Sequence, residues 1–127
     1  MSPSPLVFLG ICVAGGIGAA ARFVIDGLIR GRFRTVFPFG TAVINVTGSF
    51  ILGVLTGLLL STVLSQSWEL VLGTGIMGGY TTFSTASIET MRLVQDREYT
   101  MALTNGVAII AVTVLVGLLG LWVGSVI

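Results

Sequence analysis

The chain of 127 residues contains no histidine, no lysine and one cysteine. Without histidine there is no imidazole for acid–base or metal chemistry. Cys12 alone can form neither an intrachain disulfide nor a zinc cluster, and it reads as a small apolar residue of the first helix. Charge is equally scarce. Asp, Glu, Lys and Arg together make 9% of the chain, against about 25% in soluble domains. No pair of carboxylates is available for hydrolytic acid–base work, so an enzyme is not expected. No basic residue precedes the first apolar run, so Met1-Ser2-Pro3-Ser4-Pro5 is not read as a cleavable signal peptide. No nucleic-acid partner is expected from a net charge of +1.

What is present is apolar length. Hydrophobic residues make 54% of the chain, and its mean hydropathy is +1.07. Uncharged stretches run over 1–21, 35–68, 70–88 and 99–127. Each accommodates the ~20 residues a helix needs to cross a bilayer. The pattern predicts an all-α integral membrane protein, a single transmembrane domain over 1–127. Its four helices fall near 6–30, 38–63, 69–94 and 99–126.

All six basic residues are arginine. Arg30, Arg32 and Arg34 crowd the first loop, and Arg92 and Arg97 flank the third. The opposite side carries Glu69 and no arginine. A bias of five to zero predicts loops 1 and 3 in the cytoplasm of a cell-membrane protein, in one fixed orientation.

Glycine is abundant. Ala14-Gly15-Gly16-Ile17-Gly18-Ala19-Ala20-Ala21 in helix 1, with Gly53/Gly57 and Gly120/Gly124 in helices 2 and 4, have the spacing that lets helix backbones approach. Two uses stand open: packing inside the bundle, or an interface between copies. Arg22 and Asp26 share a helix face and can pair, and Arg30 is the other partner open to Asp26; Arg22 either snorkels to the interface or, the favoured reading, serves as a structural anchor. Asn45 lies inside helix 2 on the face of Thr41, where an amide needs a hydrogen-bond partner. Glu89 has Arg92 three residues on, as for an interfacial ion pair. Asn105 is the notable polar residue of helix 4.

The densest signal is Gly78-Gly79-Tyr80-Thr81-Thr82-Phe83-Ser84-Thr85, inside a membrane-length segment. Glycines and hydroxyl residues are poor helix formers. In hydrocarbon every freed backbone group must find a partner. A helix broken between Met77 and Thr82 frees carbonyls on one side and amides on the other. Carbonyls suit a hard cation such as Na⁺, and amides and hydroxyls suit an anion. Phe83 stands where the second half begins, and the positive edge of its ring can face an anion.

These motifs resemble the CrcB/Fluc fluoride channel family. The match runs through Gly15-Gly16-Ile17-Gly18-Ala19-Ala20-Ala21-Arg22-Phe23, then Gly40-Thr41 with Asn45, then Gly78 to Thr85 with Glu89. The resemblance implies a passive fluoride channel built as an antiparallel, dual-topology dimer with two pores. It implies a structural Na⁺ at the dimer centre on the carbonyls of Gly78 and Thr81. Asn45 would donate to fluoride, Phe83 would be the first pore ring, and Ser84 and Thr85 would supply pore hydroxyls. Thr41 and Asn105 would join the pore, and Arg22 and Glu89 would shape its vestibule.

The chain departs from that pattern at two places. Ala86 stands where the family has a second phenylalanine, and Asn105 and Ile109 fall near the family's Tyr and Ser pore positions. Together with the fixed-orientation charge bias, this leaves two assemblies open. One is a homodimer that tolerates Ala86. The other is a heterodimer whose oppositely oriented paralogue supplies the missing ring. Rival readings are a small multidrug-resistance-type cation/proton exporter, which needs a free carboxylate in helix 1, and a non-conducting partner subunit.

Overall fold

The computed structural model describes residues 4–35 and 37–127; the first three residues of the N-terminal stretch lie outside them. Helix α1, Pro5–Arg32, opens on Ser4, whose hydroxyl accepts from the Val7 N–H at 3.2 Å, with proline in the first turn. It closes with Arg30 and Arg32 in its last turn, where cations complement the helix dipole. Helix α2, Phe39–Leu60, ends at Ser61 and at Thr62, whose φ of 64° turns the chain back. The third apolar stretch is two helices. Helix α3 covers residues 66–80, with π-helical winding over Leu70–Met77, and α4 is Phe83–Gln95. Arg97, with φ 60°, makes the turn into α5, Tyr99–Val126, which has a π-helical segment at Thr104–Ala108.

All regular structure among the described residues is helical. Three helices, α1, α2 and α5, are long and apolar enough to cross a membrane. The predicted third span is divided, and neither α3 nor α4 has that length alone. The interior is small and mixed, whereas many large apolar side chains lie on the exterior. Ala14, Ala42, Ile44, Tyr80, Leu93 and Ala102 are buried, whereas Leu6, Phe8, Phe23, Leu28, Leu115 and Trp122 are exposed. Water would penalise that arrangement and lipid favours it. The chain is a membrane protein.

The helices pair in parallel, through glycine. A Cβ on Gly18 would collide with the Ile76 carbonyl, and one on Gly79 with the Gly15 carbonyl, so α1 and α3 touch backbone to backbone. In the second pair, Gly53 faces the Gly117 carbonyl, Gly57 the Leu121 carbonyl, Gly120 the Phe50 carbonyl and Gly124 the Val54 carbonyl. Residue numbers rise together along both pairs, in the first from Gly10 beside Val71, through Ala14 beside Gly75, to Gly18 beside Tyr80. The small-residue spacing is therefore used largely inside the chain: Gly57, Gly120 and Gly124 are buried against the facing helix and Gly53 is half-buried, whereas Gly16 of α1 is exposed with nothing beside it.

Candidate functional site

Thr81 (φ −81°, ψ 155°) and Thr82 (φ −149°, ψ 120°) are extended between α3 and α4. Gly78 and Gly79 stay helical, and Gly79 serves the contact with α1 instead. What holds the two threonines open is Asn45 of α2. Its Nδ2 donates to the Thr82 carbonyl at 2.7 Å, and its Oδ1 accepts from the Thr82 N–H at 2.8 Å. In a continuous helix that N–H would close on the Gly78 carbonyl. Asn45 takes it, and the Gly78 carbonyl loses its helical donor.

The neighbours of Asn45 complete a cradle. The hydroxyls of Thr47 and Tyr80 lie 3.0 Å apart, in hydrogen-bond contact, and Tyr80 is buried. Gly48 receives the Thr81 methyl group, which a Cβ there would strike. Thr81 gives both its N–H and its hydroxyl to the Met77 carbonyl, at 2.9 Å each. Thr82 caps α4: its Oγ1 accepts from the Thr85 N–H at 3.2 Å. Thr85 Oγ1 lies 3.2 Å from the same hydroxyl, and Ser84 Oγ 3.4 Å from it.

A groove of about 230 Å³ opens beside the break. It brings together Thr41, Asn45, Thr81, Phe83 and Asn105 from the predicted set, with Ala86 and Ile109. Ser84, Thr85 and Gly78 are not on its wall. Phe83 is 75% exposed at the start of α4. Thr41 is buried and makes no side-chain hydrogen bond among the described residues. Asn45 keeps one Nδ2 hydrogen after serving Thr82. These two donors lie one helical turn apart on the face turned to the groove. Asn105 differs: its Nδ2 reaches Thr90 Oγ1 at 2.8 Å and the Ala86 carbonyl at 3.3 Å, which occupies both of its hydrogens.

At the loop 1 and loop 3 end, a polar hollow of about 280 Å³ is lined by Arg30, Arg34, Glu89, Arg92 and Asp96. One predicted pairing is decided there and another is corrected. Asp26 pairs with Arg30, Nε lying 3.0 Å and 2.9 Å from its two oxygens, and not with Arg22. Glu89 pairs with Arg30 through Nη2 at 2.7 Å, and not with Arg92. Among the described residues, Nε of half-buried Arg22 has no hydrogen-bond partner, and neither does Oε1 of Glu89. The residue order places Arg30 beside Asp26 but not beside Glu89. The readable signal was the i, i+4 spacing from Asp26.

No cluster of three or more His, Cys, Asp or Glu is present among the described residues. A cation at the break would therefore draw on backbone carbonyl, hydroxyl or amide oxygens. Gly78 and Thr81 fit that requirement: the first carbonyl has lost its helical donor to Asn45, and the second sits on extended backbone.

An interrupted helix beside a largely apolar groove that carries a few hydroxyl and amide groups, inside an all-helical membrane bundle, defines an integral membrane protein with the broken-helix architecture found where ions or solutes are bound. The comparison with known proteins narrows the class. The chain belongs to the family described as CrcB-like protein, Camphor Resistance (CrcB), which matches residues 9–125. It is 52% identical over 122 residues to a protein of Leifsonia xyli subsp. xyli named fluoride-specific ion channel FluC 1, covering 96% of this chain and 89% of that one. It is 39% identical over 120 residues to fluoride-specific ion channel FluC 2 of Mycobacterium tuberculosis (strain ATCC 25618 / H37Rv), covering 94% and 92%. A third relative, fluoride-specific ion channel FluC 1 of Listeria innocua, is 38% identical over 117 residues, covering 92% of each.

Proposed function

We propose that this chain is a subunit of a channel through which fluoride leaves the cytoplasm passively, down its gradient. The observation that carries the reading is the break at Thr81 and Thr82, held open by Asn45 beside a groove with unspent donors. Fluoride accepts hydrogen bonds only, so a donor-lined path suits it. Thr41 Oγ1 and the second Nδ2 hydrogen of Asn45 replace part of its water. Phe83 offers a ring edge, which attracts an anion without competing lone pairs. Ser84 and Thr85 extend the hydroxyl track beyond the groove, and Arg22 and Glu89 belong to the entrance. Asn105 acts by fixing Thr90 and Ala86, both of its hydrogens being spent.

The working unit in this reading is an antiparallel dimer, and the exposure of Phe83 supports a second subunit completing the path. Na⁺ at the dimer centre, on the carbonyls of Gly78 and Thr81, would contribute a fixed positive charge between the two halves. Loops 1 and 3 face the cytoplasm, because five arginines gather at that end. Whether the partner is a second copy or an oppositely oriented paralogue turns on Ala86. A cation/proton exporter is disfavoured because Asp26, the only carboxylate of α1, is engaged by Arg30.

The test is fluoride efflux from liposomes holding only this chain, read with a fluoride electrode against chloride. Fast efflux selective for fluoride supports a working homodimer. Silence that an oppositely oriented paralogue relieves supports the heterodimer. Silence in both cases overturns the channel reading in favour of a non-conducting subunit.

A further inference from the structure

The half-helix α4 carries Phe83, Ser84 and Thr85, yet little apolar packing holds it. Glu89 and Leu93 are its only buried residues. Polar ties hold it instead. At the top, Asn45 grips Thr82. In the middle, Asn105 of α5 grips Thr90 and the Ala86 carbonyl. At the base, Arg30 of α1 grips Glu89, 59 residues away in sequence, at 2.7 Å. The Glu89 side chain is only 9% exposed, whereas that of Arg30 is 52% exposed. The buried partner is the one that depends on the pair.

Arg30 is itself aimed. Asp26, one turn earlier, holds Nε with both carboxylate oxygens and so leaves Nη2 directed at Glu89. Asp26 in turn lies in a notch at the start of α2. A Cβ on Gly40 would strike its Oδ1. The chain of contacts therefore runs from α2 through α1 to α4, and it ends on the element that bears the pore residues. Arg34, Arg92 and Asp96 also line the hollow around Glu89, but none of them bonds it among the described residues.

We propose that Arg30 is a positioning residue: through Glu89 it fixes α4, and with it the placement of Phe83, Ser84 and Thr85. That these three residues line a fluoride path rests on the reading above; that Arg30 holds them does not.

Two readouts on Arg30→Gln, Glu89→Gln, the double variant and Arg30→Lys separate the two claims. The first is amide hydrogen exchange of the purified chain. Arg30→Gln and Glu89→Gln should each speed exchange over residues 83–95 by about tenfold or more, leaving 109–126 unchanged. The double variant should be no faster than either single one, and Arg30→Lys should restore at least part of the protection. Exchange that stays unchanged in α4, or that rises equally throughout the chain, overturns the proposal. The second readout is fluoride efflux, with the paralogue added where the chain alone is silent. Loss in both single variants without further loss in the double supports the positioning role. Efflux losses that multiply in the double variant overturn it. A silent wild-type assembly sinks the channel reading alone, and exchange still decides the fate of Arg30.

Discussion

Asn45 closes two hydrogen bonds on the main chain of a single residue, Thr82, donating to its carbonyl at 2.7 Å and accepting from its N–H at 2.8 Å. The side-chain amide imitates a strand neighbour at a point where no strand exists. In a membrane the two backbone groups would otherwise be orphaned, at several kcal/mol each in bare hydrocarbon. The interruption of the third span is therefore a property of α2 as much as of the segment that is interrupted.

Asn45→Ala should accordingly be costly. It strips partners from a half-buried backbone donor and acceptor, each worth up to about 1–3 kcal/mol when left unmade. The expected outcome is a thermal midpoint in detergent well below that of the wild type, with fluoride efflux lost. Asn45→Asp keeps the acceptor and removes the donor, so it should fall between the two. A midpoint for Asn45→Ala equal to the wild type would mean that the break stands without the clamp.

Thr41→Val separates the anion path from the scaffold. The Thr41 hydroxyl bonds nothing within the described residues, so replacing it removes no intramolecular hydrogen bond and nearly preserves volume. Stability should change by less than about 1 kcal/mol. Efflux should fall severalfold, because a donor is lost from the groove. Unchanged efflux would take Thr41 off the path.

Glycines of one helix should respond in opposite directions. Gly18 meets the α3 backbone, whereas Gly27 has nothing within 4 Å of a built Cβ. Gly18→Ala should cost about 1–3 kcal/mol from overpacking. Gly27→Ala should gain up to about 1 kcal/mol from helix propensity. Thermal midpoints of the two variants check the pair, and equal shifts would contradict the parallel α1–α3 contact.

These assignments show what was readable from residue order. The divided third span was visible because glycine and hydroxyl residues interrupt an apolar run, but the residues out of helix are Thr81 and Thr82, one turn beyond the glycine pair. Gly78 and Gly79 misled because glycine both weakens a helix and admits a neighbouring backbone, and only the position of Gly15 on α1 tells the two apart. The small-xxx-small spacing was legible, but its partner was not. Spacing states that a face is smooth and leaves open whether the chain or a copy of it fills that face. The Arg30–Glu89 pair was missed because its members lie 59 residues apart, a contact no local period encodes. Thr41, Asn45 and Phe83 were legible because polar or aromatic residues at fixed points of an apolar segment need a reason.

Ala86 is the position at which the chain departs most from the pattern it resembles, and it gives the most informative substitution. Its side chain faces a groove of about 230 Å³ shared with Phe83, Asn45 and Asn105, enough room for a benzyl group. Its carbonyl already accepts from Thr90 at 2.9 Å and from Asn105 at 3.3 Å, so the backbone at that point is held whatever the side chain. Ala86→Phe should therefore fold with a thermal midpoint near that of the wild type while setting a second ring in the path. In liposomes containing this chain alone, fluoride efflux should rise, and most steeply where the wild-type homodimer is slow for want of that ring. Phe83→Ala in the same background should abolish the gain, since the new ring would have no partner. An Ala86→Phe protein that is folded, dimeric and no faster than the wild type would show that the alanine is not what limits conduction, and would move attention to Asn105 and Ile109 on the opposite wall.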